Sequence, residues 1–181
     1  MDLSRWLAIM ACMFAWTACA QTNTVGTAAP TPVLATFDGQ YQFLGKLYYA
    51  GESRAKDPKS VVVLSFMALE CAPCRKELPV FLEVMRKAAL TPGTPVRYFL
   101  VNLDKLSRKE ELRVYLEGAG VKTETEVLLD PYHKASNSFG VIATPRTFVI
   151  SPAGRIVADI SGAVDEYRVA LTQGLEKAMG K

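Results

Sequence analysis

The chain has 181 residues, 50% of them hydrophobic and 22% charged, with 21 Lys and Arg against 18 Asp and Glu for a formal net charge of +3. That balance excludes an intrinsically disordered chain and sets the length of one domain with a sizeable core. No basic run interleaved with aromatics occurs, so the composition points to no nucleic-acid partner.

Residues 1–20, MDLSRWLAIMACMFAWTACA, carry one basic residue (Arg5), an apolar run from Trp6 to Trp16, and then small residues, the pattern of an export signal. The run is too short for a permanent transmembrane anchor. Two processing routes fit. Ala18-Cys19-Ala20 is a small-x-small site that would place the cut before Gln21, whereas Trp16-Thr17-Ala18-Cys19 is similar to the bacterial lipobox, whose cysteine carries lipid. The lipobox usually has an aliphatic residue where Trp16 stands. Both routes make the mature protein periplasmic or otherwise extracytoplasmic. Residues 21–32, QTNTVGTAAPTP, have little to bury and predict a flexible tether, leaving 33–181 as the folded domain.

Within that domain, Phe37-Asp38-Gly39-Gln40-Tyr41 sets an Asp-Gly turn between short apolar segments and predicts a β-hairpin. Ala50 to Ser60 reads as a polar loop. Val61 to Met67 is a continuous apolar run, the signature of a strand buried on both faces. After Ala68-Leu69-Glu70 come Cys71 and Cys74, and then Leu78, Phe81, Leu82, Met85 and Ala89 form one apolar helical stripe. The cysteine pair therefore opens a helix that leaves a buried strand. Unpaired N–H groups and a partial positive charge at a helix start favour a thiolate over a thiol. Pro73 removes one of those donors, and Pro79 inside the helix is expected to kink it. A structural zinc site would need a second cysteine pair or two histidines, and His133 is the one histidine.

Thr91-Pro92-Gly93-Thr94-Pro95 breaks the helix, and Val96 to Leu103 predicts a second buried strand. Ser107-Arg108-Lys109-Glu110 reads as a capping box opening a helix to about Gly118. A short strand at Glu126 to Asp130 follows, then a short helix over 132–139 stopped at Gly140. Arg146 to Ser151 and Arg155 to Ile160 predict two strands joined by Pro152-Ala153-Gly154, and a last helix runs from about Asp165 to Met179. This order predicts an α/β fold, a central mixed β-sheet flanked by helices, with an added N-terminal β-hairpin.

Strand, C-x-x-C, helix and a later Thr-Pro before two strands resemble the thioredoxin superfamily. The resemblance is closer to the TlpA/ResA-type extracytoplasmic thiol–disulfide oxidoreductases, and it covers 33–181. Cys71-Ala72-Pro73-Cys74, Glu77, Pro79 and Ala143-Thr144-Pro145 ahead of Thr147-Phe148-Val149-Ile150 carry it. Two positions depart from the family: Glu70 and Met67 stand where it has aromatic residues, and Trp6 and Trp16 lie in the leader. A charged Glu70 is expected to raise the thiol pKa by like-charge repulsion.

The resemblance implies a thioredoxin-like fold and a redox-active disulfide between Cys71, the nucleophile at an exposed helix start, and Cys74, the more buried resolving thiol. It implies that Glu77 moves protons to and from the thiols, whereas Ser65 stands where thioredoxins place a buried acid. Pro145 is expected to be cis with its loop facing the disulfide. Thr144 would pair its backbone with an extended substrate beside Ala72 and Pro73, and Arg146 is expected to be exposed. No dissociable cofactor and no metal are implied. The partners implied are a protein disulfide or thiol substrate, a membrane electron donor and, through Cys19, a lipid anchor. The alternative is a copper-binding or metal-delivery protein on the same fold using Cys71, Cys74 and His133, although that group spaces its cysteines C-x-x-x-C. Peroxidase chemistry lacks its Pro-x-x-x-Thr-x-x-Cys arrangement around Cys71.

Overall fold

The computed structural model describes residues 25–48, 60–161 and 164–180. The expected export signal with Cys12 and Cys19, and most of the expected polar loop at 50–60, lie outside these residues.

The centre of the molecule is β3 (Val61–Met67), in which every residue is buried. On one side it pairs in parallel with β4 (Val96–Asn102), from Val61 opposite Val96 to Met67 opposite Asn102. On the other side it pairs antiparallel with β6 (Arg146–Ile150), which in turn pairs with β7 (Ile156–Ile160). Beyond β4 lies β5 (Val127–Leu129), parallel to it. The expected hairpin, β1 (Val33–Thr36) and β2 (Tyr41–Phe43), extends the sheet antiparallel from β5. The result is one mixed seven-stranded sheet of order β2-β1-β5-β4-β3-β6-β7.

Helices α1 (Gly45–Tyr48), α2 (Ala72–Ala89), α3 (Lys109–Gly118), α4 (Thr123–Glu126), α5 (Lys134–Ser138) and α6 (Val164–Ala178) flank the sheet. Because side chains alternate along a strand, β3 feeds two cores. Val61, Val63 and Met67 pack with Phe81, Leu82 and Met85 of α2, and with Tyr167, Leu171 and Leu175 of α6. Val62, Leu64 and Phe66 pack on the opposite face, where Phe66, Phe139 and Phe148 stack with ring centroids 5.0–5.9 Å apart. Each fully buried Leu, Val or Phe stabilises the fold by about 1.5–3 kcal/mol. Ser65 falls on the α2 and α6 face, a hydroxyl in an otherwise apolar row.

Two sequence expectations change. The folded body begins by Gly26 rather than Val33: the Gly26 and Ala29 N–H groups donate to the carbonyls of Ile156 (2.7 Å) and Gly154 (2.8 Å), and the Ile156 N–H donates to Thr27. The Tyr48 hydroxyl donates to the Pro30 carbonyl. The cause is β7, an edge strand whose free backbone groups take any complementary segment, and composition alone does not show such a pairing. Ser107 also does not cap α3. A 3-10 turn over Leu106–Arg108 precedes the helix, and its N-cap residue is Arg108 with no side-chain capping bond. Glu110 instead pairs with Arg113.

Candidate active site

At the C-terminal end of β3 the chain turns through Ala68, Leu69 and Glu70 and enters α2 at Cys71, its N-cap residue. Cys71 and Cys74 form a disulfide with their Cα atoms 5.2 Å apart, and the Cys74 N–H points at the Cys71 Sγ at 3.1 Å. The expectation of an exposed Cys71 changes: it is 9% exposed and Cys74 5%. The N-cap residue has extended backbone, φ −79° and ψ 95°, and its sulfur lies over the first helical turn, where it accepts the Cys74 N–H. The exposed surface over the disulfide is that of Ala72 and Pro73.

The turn before the disulfide is held through both backbone polar groups of one residue, Leu69. The Leu69 N–H donates to the Asp104 carboxylate at 2.8 Å, and the Leu69 carbonyl accepts from Arg75 Nη2 at 2.8 Å and Nε at 3.2 Å. Asn102 donates to the same Asp104 oxygen at 2.6 Å, fixing that carboxylate at the end of β4. Glu70 is tied to Arg108 at 2.8 Å, and Arg108 also meets Glu111 at 2.6 Å. The expected repulsion between Glu70 and the thiols is thus reduced, because the Arg108 guanidinium, which Glu70 shares with Glu111 and Asp104, lies against that carboxylate.

Behind the disulfide, Glu77 lies one turn along α2 from Cys74 and is only 3% exposed. Its Oε1 has no hydrogen-bond partner among the described residues. Burial pushes its pKa up from 4.5 to about 7, because a charged carboxylate there loses its hydration. A cavity of about 10 Å³ opens beside it, lined by Ser65, Met67, Cys74, Glu77, Pro145 and Tyr167 among others. The Thr144–Pro145 peptide is cis, and Pro145 meets the same cavity as Cys74. Ala143 and Ile142 on the preceding loop are exposed, Ile142 almost fully, and Thr144 is half-buried.

Arg146 is not the exposed arginine expected. It is half-buried, and its Nε and Nη2 bind both carboxylate oxygens of Asp159 at 2.7 and 2.6 Å. His133 is exposed at the start of α5 in the left-handed region, φ 55°. Among the described residues no group of three or more His, Cys, Asp or Glu is placed to hold a metal ion.

The parts that Asp104, Arg75, Arg108, Thr147 and Tyr167 play at the site are not expected from the sequence. For Asp104 a signal existed: an acid directly after a buried strand that neighbours the cysteine strand in parallel lies at the same end of the sheet as the site. Tyr167, on the last helix and 93 residues beyond Cys74, had none.

A model of the AhpC/TSA family matches residues 25–159. The chain is 26% identical over 144 residues to the thiol–disulfide oxidoreductase ResA of Bacillus subtilis, covering 80% of this chain and 71% of that one. It is 27% identical over 106 residues to the thiol:disulfide interchange protein HelX of Rhodobacter capsulatus, covering 59% of this chain and 54% of HelX. Among solved structures it superposes on a protein described as thiol:disulfide interchange protein DsbE from Chlorobium tepidum with TM-score 0.68 and 26% identity, covering 87% of this chain and 99% of that one. A buried helix-start disulfide facing a cis-proline loop, on this sheet and with these relatives, places the protein: the chain belongs to the AhpC/TSA family and is a thiol–disulfide oxidoreductase of the TlpA/ResA type on the thioredoxin-like fold.

Proposed function

We propose that the protein works outside the cytoplasm, reducing or exchanging disulfides in protein substrates through Cys71 and Cys74, with electrons returned by a membrane donor. The observation that carries this is the helix-start disulfide backed by a carboxyl group, Glu77, that is buried beside Cys74 with its Oε1 unpartnered among the described residues. In the reduced protein, Cys71 as thiolate attacks a substrate disulfide and forms a mixed disulfide, releasing the first substrate sulfur. Cys74 then gives its proton to Glu77, and its electron pair attacks the Cys71 sulfur. The Cys71–Cys74 bond forms, the Cys71–substrate bond breaks, and the substrate leaves as a thiolate that takes a proton from solvent. Two electrons have passed from the dithiol to the substrate. The thiol–thiolate balance of Cys71 is set by the helix start.

Substrate specificity resides in the surface above the disulfide. Ala72 and Pro73 offer a small uncharged floor, and the Thr144 backbone beside Pro145 pairs with an extended segment carrying the target cysteine. The export signal at 1–20 gives the location, and the mass of the mature protein reads whether Cys19 is lipidated or the cut falls before Gln21. The test of the chemistry is turnover of a protein disulfide. Cys71→Ser abolishes it, while Cys74→Ser accumulates a mixed disulfide through Cys71 that is visible by mass. Full activity in Cys71→Ser would overturn the reading.

A further inference from the structure

The buried hydroxyls of Ser65 on β3, Thr147 on β6 and Tyr167 on α6 converge behind the site from three separate elements. Thr147, completely buried, donates to Ser65 Oγ at 3.0 Å, and its oxygen lies 3.0 Å from the Tyr167 hydroxyl. A hydroxyl has one proton to give. With the Thr147 proton committed to Ser65, the Thr147 oxygen receives the Tyr167 proton, so the row is directed Tyr167 to Thr147 to Ser65. Ser65 also interacts with the Tyr167 oxygen, so its proton turns between that oxygen and the cavity that Ser65 and Tyr167 share with Glu77 and Cys74. That cavity has the volume one water needs, and it offers that water the polar partners Glu77, Ser65 and Tyr167. Its other walls include Met67, Leu78, Phe81 and Leu100, which compete for no proton.

We propose that Tyr167 and Thr147 are positioning residues that aim the Ser65 hydroxyl, through one water in this cavity, at the Glu77 carboxylate that receives the Cys74 proton. The inference rests on the reading of Glu77 as the proton acceptor for Cys74. The row offsets the burial of Glu77 without placing a second acid in the core: it stabilises the charged form of Glu77 that is ready to take the proton of the resolving thiol. Among the described residues, the titratable groups facing Glu77 are Cys74 from its own helix and Tyr167 from α6. From β3 and the loop before β6 come Ser65 and Pro145, which carry no charge. Asp159 beyond Tyr167 is locked to Arg146. Burial, and then the Glu77 charge, hold the Tyr167 phenol well above its ordinary range, so it stays protonated and acts as a donor throughout.

The test is the rate of glutathione release from protein carrying one glutathione on Cys71, followed against pH, for the parent chain and for Glu77→Gln, Tyr167→Phe, Thr147→Val and Ser65→Ala. Thermal melting confirms that each variant is folded, and the two isosteric variants keep the packing. Glu77→Gln removes the ionisation that governs the lower limb of the profile. Tyr167→Phe, Thr147→Val and Ser65→Ala each move its midpoint up by about one unit, since each removes donor strength from the Glu77 carboxylate and so raises the pH at which that base is available. A purely structural role would change melting and leave the midpoint in place. If Glu77→Gln removes the limb and the three hydroxyl variants keep the parent midpoint, the hydroxyl row is refuted while Glu77 keeps its role. If Glu77→Gln retains the parent profile, the Glu77 reading falls and this inference falls with it.

Discussion

The Asp104 carboxylate accepts the Leu69 N–H at 2.8 Å, so a side chain at the end of β4 fixes the peptide two residues before Cys71 at the end of β3. Asp104→Ala leaves that N–H without its acceptor and frees the Asn102 and Arg108 contacts to the same carboxylate. Losing a hydrogen bond to a charged group costs about 1.5–3 kcal/mol. The expected outcome is a loss of that size in denaturant unfolding of the oxidised protein, with a changed equilibrium against dithiothreitol. Unchanged stability and unchanged redox equilibrium together would mean the turn holds itself.

Glu77 gives a pH dependence whose sign follows from burial. Its pKa in the fold is about 7 against 4.5 for an ordinary glutamate, so between these values the unfolded chain has lost a proton that the folded one keeps. Stability contributed by the protonated form is complete below about pH 4.5 and is lost as pH rises through 7, up to about 3 kcal/mol in all. Glu83, which Arg168 and Lys87 hold down at about 2, titrates below this window. Unfolding free energy of the oxidised protein therefore falls from pH 5 to pH 8, and Glu77→Gln flattens the fall and is the more stable protein at pH 8. Parallel curves for the two proteins would show that Glu77 ionises freely.

The parts legible in the sequence are those fixed by local pattern. The unbroken apolar run of β3, the helical stripe after Cys74, the Asp-Gly hairpin and the Thr-Pro before β6 each carry their own periodicity or turn chemistry, and strand order follows from them by resemblance. What stayed hidden depends on partners distant in sequence. Gly26 and Ala29 look like tether until β7 offers its edge, Ser107 looks like a cap until Arg108 is drawn to Glu70, and Tyr167 looks like one more core aromatic until its hydroxyl meets Thr147.

Asp130 sits directly after β5, is buried, and accepts the N–H groups of Ala135 at 3.2 Å and Ser136 at 2.8 Å, capping α5 across the left-handed His133. Asp130→Ala removes the cap, at a cost of about 1–2 kcal/mol. The loss is local: amide hydrogen exchange over 134–141 speeds up, and it does so before exchange in β3 is affected. Exchange that accelerates equally in β3 and α5 would mean that α5 has no separate opening and that the cap serves the whole domain.

Gly174 shows where α6 meets the sheet most closely. A Cβ built there would lie 2.8 Å from the Ala158 Cβ on β7 and 3.2 Å from a Val149 methyl on β6. In an exposed helix, Gly→Ala stabilises by about 1 kcal/mol. Here both nearest atoms sit on or next to strand backbone and cannot swing away, so overpacking costs about 1–3 kcal/mol and outweighs the helix gain. Gly174→Ala is expected to lower Tm by several degrees. Ala158→Gly removes the opposing methyl, so the Gly174→Ala/Ala158→Gly pair recovers most of the loss although it leaves the sheet with a glycine. A raised Tm in Gly174→Ala alone would mean that α6 can lift from β7, and the hydroxyl of Tyr167 on the same helix would then lose its fixed distance to Thr147.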